Sequence, residues 1–291
     1  MNPAARAQLQ IHACVVLWGF TAILGKLISL PAWPLVWWRM TLVGGLLALT
    51  PRVWRGWRAM TPRLAIAYAG IGLVVAAHWL TFYGAIKLSN ASVAATCMAF
   101  APVFQAVLEP LVAGKRFDPR ELLLALAVMP GVALVTGGVS PSYRLGIAVG
   151  ALSGALAAAF SALNKRLVTR GDALAITGLE MLAGAALLTV ATPCFGGGFV
   201  VPSGRDLALL AALAVGCTLV PFTLSLVALR HISAFASSLI VNLEPVYAIV
   251  LAIALLHEQR ELSVGFYAGV AIIVGAVLAY PRLRRVDPIE S

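Results

Sequence analysis

A chain of 291 residues that is 61% hydrophobic and only 11% charged, with a mean hydropathy of +0.96, is excluded from the ordinary soluble class, whose members carry roughly 25% charged residues. Its net charge of +10 would point to nucleic acid in a soluble protein. Here the basic residues sit in short patches between apolar runs, so anchoring at a membrane face accounts for them and no nucleic-acid partner is expected.

A hydrocarbon core about 30 Å thick needs roughly 20 apolar residues per helical span. Ten runs of that kind follow one another: 8–29, 33–51, 64–86, 91–112, 120–138, 145–164, 173–193, 206–229, 234–256 and 263–281. The first lacks a small-residue cleavage site and is read as a retained helix. Connections are short and hold turn residues or charge, as in Arg52 to Arg63, Ser89-Asn90, Lys115 to Arg120 and Arg170-Gly171-Asp172. Cys14, Cys97, Cys194 and Cys217 stand singly, with no metal or redox spacing, so neither a cofactor nor a metal is expected.

Orientation follows from the basic residues. With the N-terminus cytoplasmic, fifteen of the 21 Lys and Arg residues fall on the cytoplasmic side, and Lys87, Arg144, Arg205 and Arg260 fall outside. Lys26 and Arg39 lie within or at the ends of spans. Both termini are therefore expected in the cytoplasm, in a multi-pass protein of the inner membrane.

The stretch Ala85–Phe104 recurs without a gap at Ala228–Tyr247: Lys87 meets Arg230, Ala91 meets Ala234, Pro102 meets Pro245 and Phe104 meets Tyr247. A repeat near half the chain divides it into residues 1–140 and 141–291, each with five spans. An odd number of spans makes the second copy enter from the opposite side. The expected fold is an all-α integral membrane protein of ten transmembrane helices in two inverted five-helix repeats, a common plan for secondary transporters with a midplane site between the halves.

The ten-span pattern, Trp18-Gly19-Phe20 in the first span, Arg39 after a tryptophan pair in the second, and Leu243-Glu244-Pro245-Val246 followed by His257-Glu258 in the ninth resemble the drug/metabolite transporter superfamily, EamA type. Within it the chain is most similar to bacterial exporters of aromatic amino acids and other metabolites. The resemblance implies a central cavity lined by both halves and alternating access.

Ionisable and polar groups inside spans are costly and so are candidates for function. In the third span His78 and Phe82, one turn apart, share a face suited to an aromatic or zwitterionic solute; a histidine bonded to a neighbouring helix is the plainer alternative. The fourth span brings Thr96, Met98, Phe100 and Pro102 to mid-membrane, and Met98 and Phe100 offer an adaptable apolar surface, or plain core. Trp18 and Thr21 share a face of the first span, as do Phe160 and Asn164 of the sixth. Asn242 and Glu244 near the centre of the ninth could bind a substrate's polar groups or a proton, or satisfy backbone freed by Pro245. Arg39 and Glu180, in matching positions of their halves, would act as gates, pair locally or snorkel. Pro102 and Pro245 are the expected hinges. The Gly146, Gly150, Gly154 stripe and Gly265, Gly269 mark close helix contacts; the latter leaves a homodimer and a monomer equally open.

The expected function is a secondary transporter, not an enzyme, that exports amino acids and related small metabolites. Its partners are that solute and the lipid bilayer. A carrier of nucleotide sugars or other phosphorylated metabolites is the first rival, but it would need several basic cavity residues, and only Lys26 and Arg39, near the outer ends of their spans, qualify. A membrane-embedded enzyme would need a polar cluster at one face. A channel would need a recurrent filter-like loop.

Overall fold

The structure is a computed structural model and describes every residue except 1, 115, 132–133, 135–140, 196–199, 257–262 and 284–291, with the side chains of 245–246, 248–249, 252, 256, 273 and 276–283 also outside the described set. His257, Glu258, Arg260 and Lys115 of the sequence reading therefore lie outside the described residues. Among those described, the chain is helical and holds no strand. Among the described residues six helical runs are long and apolar enough to cross a membrane, Pro3–Leu27, Pro62–Leu88, Ala91–Ala113, Pro141–Arg170, Ala173–Cys194 and Gly204–Leu229, and the bent pair Ala32–Ala48 with Pro51–Ala59 would make a seventh if it is one span.

The helices are α1 Pro3–Leu27, α2 Ala32–Ala48, α3 Pro51–Ala59, α4 Pro62–Leu88, α5 Ala91–Cys97, α6 Ala101–Ala113, α7 Pro119–Ala127, α8 Arg144–Leu167, α9 Ala173–Ala191, α10 Gly204–Ala214, α11 Val220–Leu229, α12 Ala234–Val241, α13 Glu244–Leu256 and α14 Val264–Leu283. Their starts follow local chemistry. Asn2, Thr61, Asn90, Asp118, Asp172, Ser203 and Ser233 each cap the following helix with a side-chain oxygen, satisfying amides that have no intrahelical partner.

One expected connection is itself a helix. The segment from Arg52 was read as a charged linker; it forms α3, bent 89° from α2. Pro51 starts it, where a missing N–H costs nothing. Arg52, Arg55 and Arg58 follow at three-residue spacing while Val53 is buried, so the segment is amphipathic and suited to lie along an interface. Trp57 Nε1 donates to the Ala175 carbonyl at 2.8 Å, and Arg52 meets Asp172 at 2.8 Å, tying α3 to the start of α9.

Two spans expected to be continuous are broken at corresponding places. Between α5 and α6 lies a 3-10 turn, Met98–Phe100, and between α12 and α13 lie Asn242 and Leu243. Ala91 and Ala113 bound the first pair and Ala234 and Leu256 the second, both 143 residues apart. Pro102 stands in the first turn of α6, and Pro245 is the second residue of α13. Proline has no N–H to donate to the carbonyl four residues back, so the helical hydrogen-bond ladder is interrupted just ahead of each proline.

The core joins the two stretches of chain instead of separating them. α4 packs along α8 and α9, α2 along α9, α6 along α8, and α1 against α11 and α13. Small residues allow these approaches. A Cβ at Gly146 would sit 2.9 Å from Ser89 Cβ, and one at Gly150 would sit 2.8 Å from Cys97 Cβ. The Gly146, Gly150, Gly154 stripe is thus a seam for α4 and α5, as expected.

Candidate functional site

A single proline explains the most unusual group in the bundle. Pro221, at the start of α11, has no N–H for the Cys217 carbonyl four residues back, and Val215–Leu219 before it is a π-helical turn. Such turns are frequent at functional sites. Arg39 of α2 fills the deficit: Nη2 donates to the Cys217 carbonyl at 3.3 Å, Nε to Thr218 Oγ1 at 2.6 Å and Nη1 to the Tyr83 hydroxyl at 2.8 Å. Its guanidinium carbon lies 3.8 Å from the Trp79 ring centroid, a cation–π contact strengthened by desolvation. Arg39 is 1% exposed, so its charge is held inside the bundle and does not snorkel to an interface.

Arg39 borders a cavity of about 110 Å³. The sequence-selected residues Trp18, Thr21, His78, Phe82, Met98, Phe160, Asn164 and Glu244 come together on its walls. Trp79, Phe222, Ser225, Ser237 and Ser238 complete them. The walls are therefore aromatic over much of their area: Phe160 stacks on Phe222 at 6.1 Å, His78 lies 5.4 Å from Phe160, and Trp79 meets Phe222 edge-on at 6.1 Å. Arg39 and Glu244 supply opposite charges to one apolar space.

His78 is both bonded to a neighbouring helix and on the cavity wall, so the two alternatives coexist. Its Nδ1 lies 3.0 Å from the Ser153 carbonyl and 2.9 Å from Ser153 Oγ, which itself donates to the His78 carbonyl at 3.0 Å. A carbonyl can only accept, so in the neutral ring the proton belongs on Nδ1 and Nε2 is left as an acceptor.

Two expected site residues stand elsewhere. Phe100 packs against the small cluster of Ala99, Val128 and Phe266. The 3-10 turn that begins at Met98 changes the angular step per residue from about 100° to about 120°, and Met98 faces the cavity while Phe100 does not. Asn242 is buried but does not line the cavity, and its amide has no hydrogen-bond partner among the described residues; it occupies the break between α12 and α13.

Arg39 and Glu180 do not pair with each other. Glu180 is 0% exposed, and its carboxylate takes one long hydrogen bond, 3.5 Å, from Asn164 Nδ2. Arg39 is held on the Tyr83 and Thr218 side instead. Thr96 turns its hydroxyl to the Ser92 carbonyl within its own helix at 2.8 Å.

Sequence reasoning missed Glu109 and Lys165. Glu109 of α6 accepts from the amides of Ala234 and Phe235 at 2.8 and 2.7 Å, holding the N-terminus of α12, where a negative charge is favoured. Lys165 donates to the Leu229 and Ile232 carbonyls at 2.7 and 2.8 Å, beyond the end of α11. The available signal was charge beside a helix boundary in the partner span, which only the packing reveals. Among the described residues no His, Cys, Asp and Glu cluster could hold a metal ion.

A crystal structure of a protein 21% identical to this one superposes with a TM-score of 0.72 over 97% of this chain and 99% of that one, so the two share a fold. No curated protein matches the sequence. The model of the EamA-like transporter family matches residues 6–137 and 144–280. The chain belongs to the EamA-like transporter family, membrane transporters of small molecules within the drug/metabolite transporter superfamily.

Proposed function

We propose that this transporter exports amino acids, chiefly aromatic or apolar ones, and related small metabolites across the inner membrane by alternating access. The observation that carries the reading is the joint presence of Arg39 and Glu244 on an aromatic cavity. An α-amino acid brings a carboxylate, an ammonium and an apolar side chain. Arg39 uses three of its five N–H groups on Thr218, Tyr83 and Cys217, which leaves donors for a carboxylate. Glu244 suits the ammonium, and Phe82, Phe160 and Phe222 suit the side chain. A phosphorylated metabolite would place two or more negative charges against this single guanidinium.

In this reading ten spans form two inverted five-helix repeats, with both termini cytoplasmic. The matched stretches 6–137 and 144–280 and the shared break in α5–α6 and α12–α13 support it. Pro102 and Pro245, beside those breaks, are the hinges about which access to the cavity alternates. Replacing Pro102 by Ala restores the missing N–H and is expected to slow exchange and to bias cysteine-accessibility labelling of the cavity toward one face. Unchanged transport and labelling would refute the hinge.

Counterflow in proteoliposomes preloaded with unlabelled amino acid tests the function directly. Labelled phenylalanine, tryptophan or leucine is expected to enter in exchange, and a sugar nucleotide is not. Exchange of the sugar nucleotide with none of a full amino-acid panel would overturn the reading.

A further inference from the structure

The geometry points to Glu180 as a proton-binding site that couples transport to a proton gradient, read out to the cavity by the amide of Asn164. The inference rests on the transport reading above and adds the driving ion to it.

Glu180 lies wholly inside the bundle, between α4 and α8, and Asn164 is 1% exposed yet stands on the cavity wall. One hydrogen bond joins them, Asn164 Nδ2 to Glu180 Oε2 at 3.5 Å. Glu180 Oε1 and Asn164 Oδ1 both have no hydrogen-bond partner among the described residues. Two buried acceptors with no donor are costly, and a single added proton supplies the donor that both lack.

Several charged groups on the packed elements are engaged elsewhere. Arg39 of α2 is held by Tyr83, Thr218 and Cys217. Lys165 of α8 is held by the Leu229 and Ile232 carbonyls. Arg52 of α3 pairs with Asp172, and Arg230 after α11 donates to the Gly171 carbonyl at 2.8 Å. Tyr68 of α4 shares the electrostatic environment of Glu180 but donates its hydroxyl to the Leu167 carbonyl at 2.7 Å. Glu244 differs, because it shares its cavity with Arg39. Of these two buried carboxyls, among the several in the bundle, Glu180 is the one with no cation beside it among the described residues.

Proton occupancy then sets what the cavity offers. With Glu180 ionised, the Asn164 NH₂ is drawn to the carboxylate and Oδ1 is the free end of the amide, an acceptor for a substrate ammonium. With Glu180 protonated, its O–H donates to Asn164 Oδ1 and the NH₂ becomes the free end, which repels that ammonium. Substrate and proton thus bind in alternation at a one-to-one ratio, the arrangement of an antiporter. The proton is taken from water on one face and returned to water on the other.

Three measurements on the full chain test this. Modification of carboxyls by dicyclohexylcarbodiimide, mapped by mass spectrometry, is expected at Glu180 and to fall as pH rises; absence of label at every pH would overturn the site whatever the substrate is. In vesicles one pH unit more acidic inside, with the membrane potential clamped, labelled phenylalanine is expected to accumulate up to about tenfold, the limit for one proton per substrate. Accumulation driven by Na⁺ instead, accumulation in the alkaline lumen, or none while counterflow persists would each overturn the inference. Glu180→Gln, whose amide takes up no proton and can turn its oxygen to accept from the Asn164 NH₂, is expected to retain counterflow, which also reports its folding, and to lose the tenfold accumulation and the pH dependence. Should the wild type show no counterflow with any amino acid, the transport reading fails, and the carbodiimide titration alone decides for or against the proton site.

Discussion

Replacing Arg39 by glutamine is expected to reduce counterflow to background and to lower the melting temperature of the purified protein. The two effects have separate sources. Without the guanidinium the Cys217 carbonyl loses the Arg39 donor that stands in for the missing N–H of Pro221, and the hydroxyl of Tyr83 loses its partner. Leaving a buried polar group unsatisfied costs about 1–3 kcal/mol. Glu244 would also remain on the wall of the same apolar cavity without the Arg39 charge beside it. Arg39→Lys keeps the charge but not the planar fork, and one ammonium cannot reach Thr218, Tyr83 and Cys217 together. It is expected to recover part of the stability and little of the transport. The double change Arg39→Gln with Glu244→Gln removes both charges and is expected to melt above the single Arg39 variant, since coupled sites are not additive. A single variant with unaltered melting, measured by tryptophan fluorescence in detergent, would show that this network does not hold α2, α4 and α11 together.

The same residue marks where the sequence stops being legible. A charge inside an apolar run announces itself, and so Arg39, His78, Glu180 and Glu244 were all identifiable as candidates. What each one touches was not. Arg39 and Glu180 looked like a pair because they stand at matching positions in their halves, yet the packing of α2 turns Arg39 toward α4 and α11 while Glu180 meets α8. The decisive partner of Arg39 is a main-chain carbonyl released by Pro221, and a carbonyl has no letter in the sequence. The helices themselves were legible because hydropathy records the cost of placing polar backbone and side chains in lipid. The breaks at Met98–Phe100 and Asn242–Leu243 left only the prolines as a trace, and a proline specifies that a helix is disturbed without specifying which side chains rotate away. Hence Met98 lines the cavity, and Phe100, two residues on, does not. The amphipathic α3 was obscured by its charge: three arginines at helical spacing read as a loop when the apolar run is the only signal followed.

Two glycines of α4, two residues apart, provide the sharpest contrast in expected stability. A Cβ at Gly72 would lie 2.2 Å from the carbonyl oxygen of Glu180 and 2.7 Å from its Cα, both main-chain atoms of α9. A Cβ at Gly70 meets nothing within 4 Å. Main chain cannot rotate aside as a side chain can, so Gly72→Ala forces α4 and α9 apart along their whole contact. The same seam holds Gly184, where a Cβ would come within 3.0 Å of the Gly72 carbonyl oxygen, and moving one helix therefore loosens both. Overpacking of this kind costs typically about 1–3 kcal/mol and sometimes more; main-chain collision places Gly72→Ala at or above the upper end. Gly70→Ala is expected to be neutral or to stabilise α4 by up to about 1 kcal/mol, since alanine is the better helix former. Because the displaced atoms belong to Glu180 itself, Gly72→Ala is also expected to weaken the Asn164–Glu180 contact, already at 3.5 Å, and to reduce proton-driven accumulation in whatever fraction still folds. Melting curves for the two variants side by side would decide the matter: equal stabilities would mean that α4 and α9 approach less closely than the backbone of Gly72 and Glu180 requires.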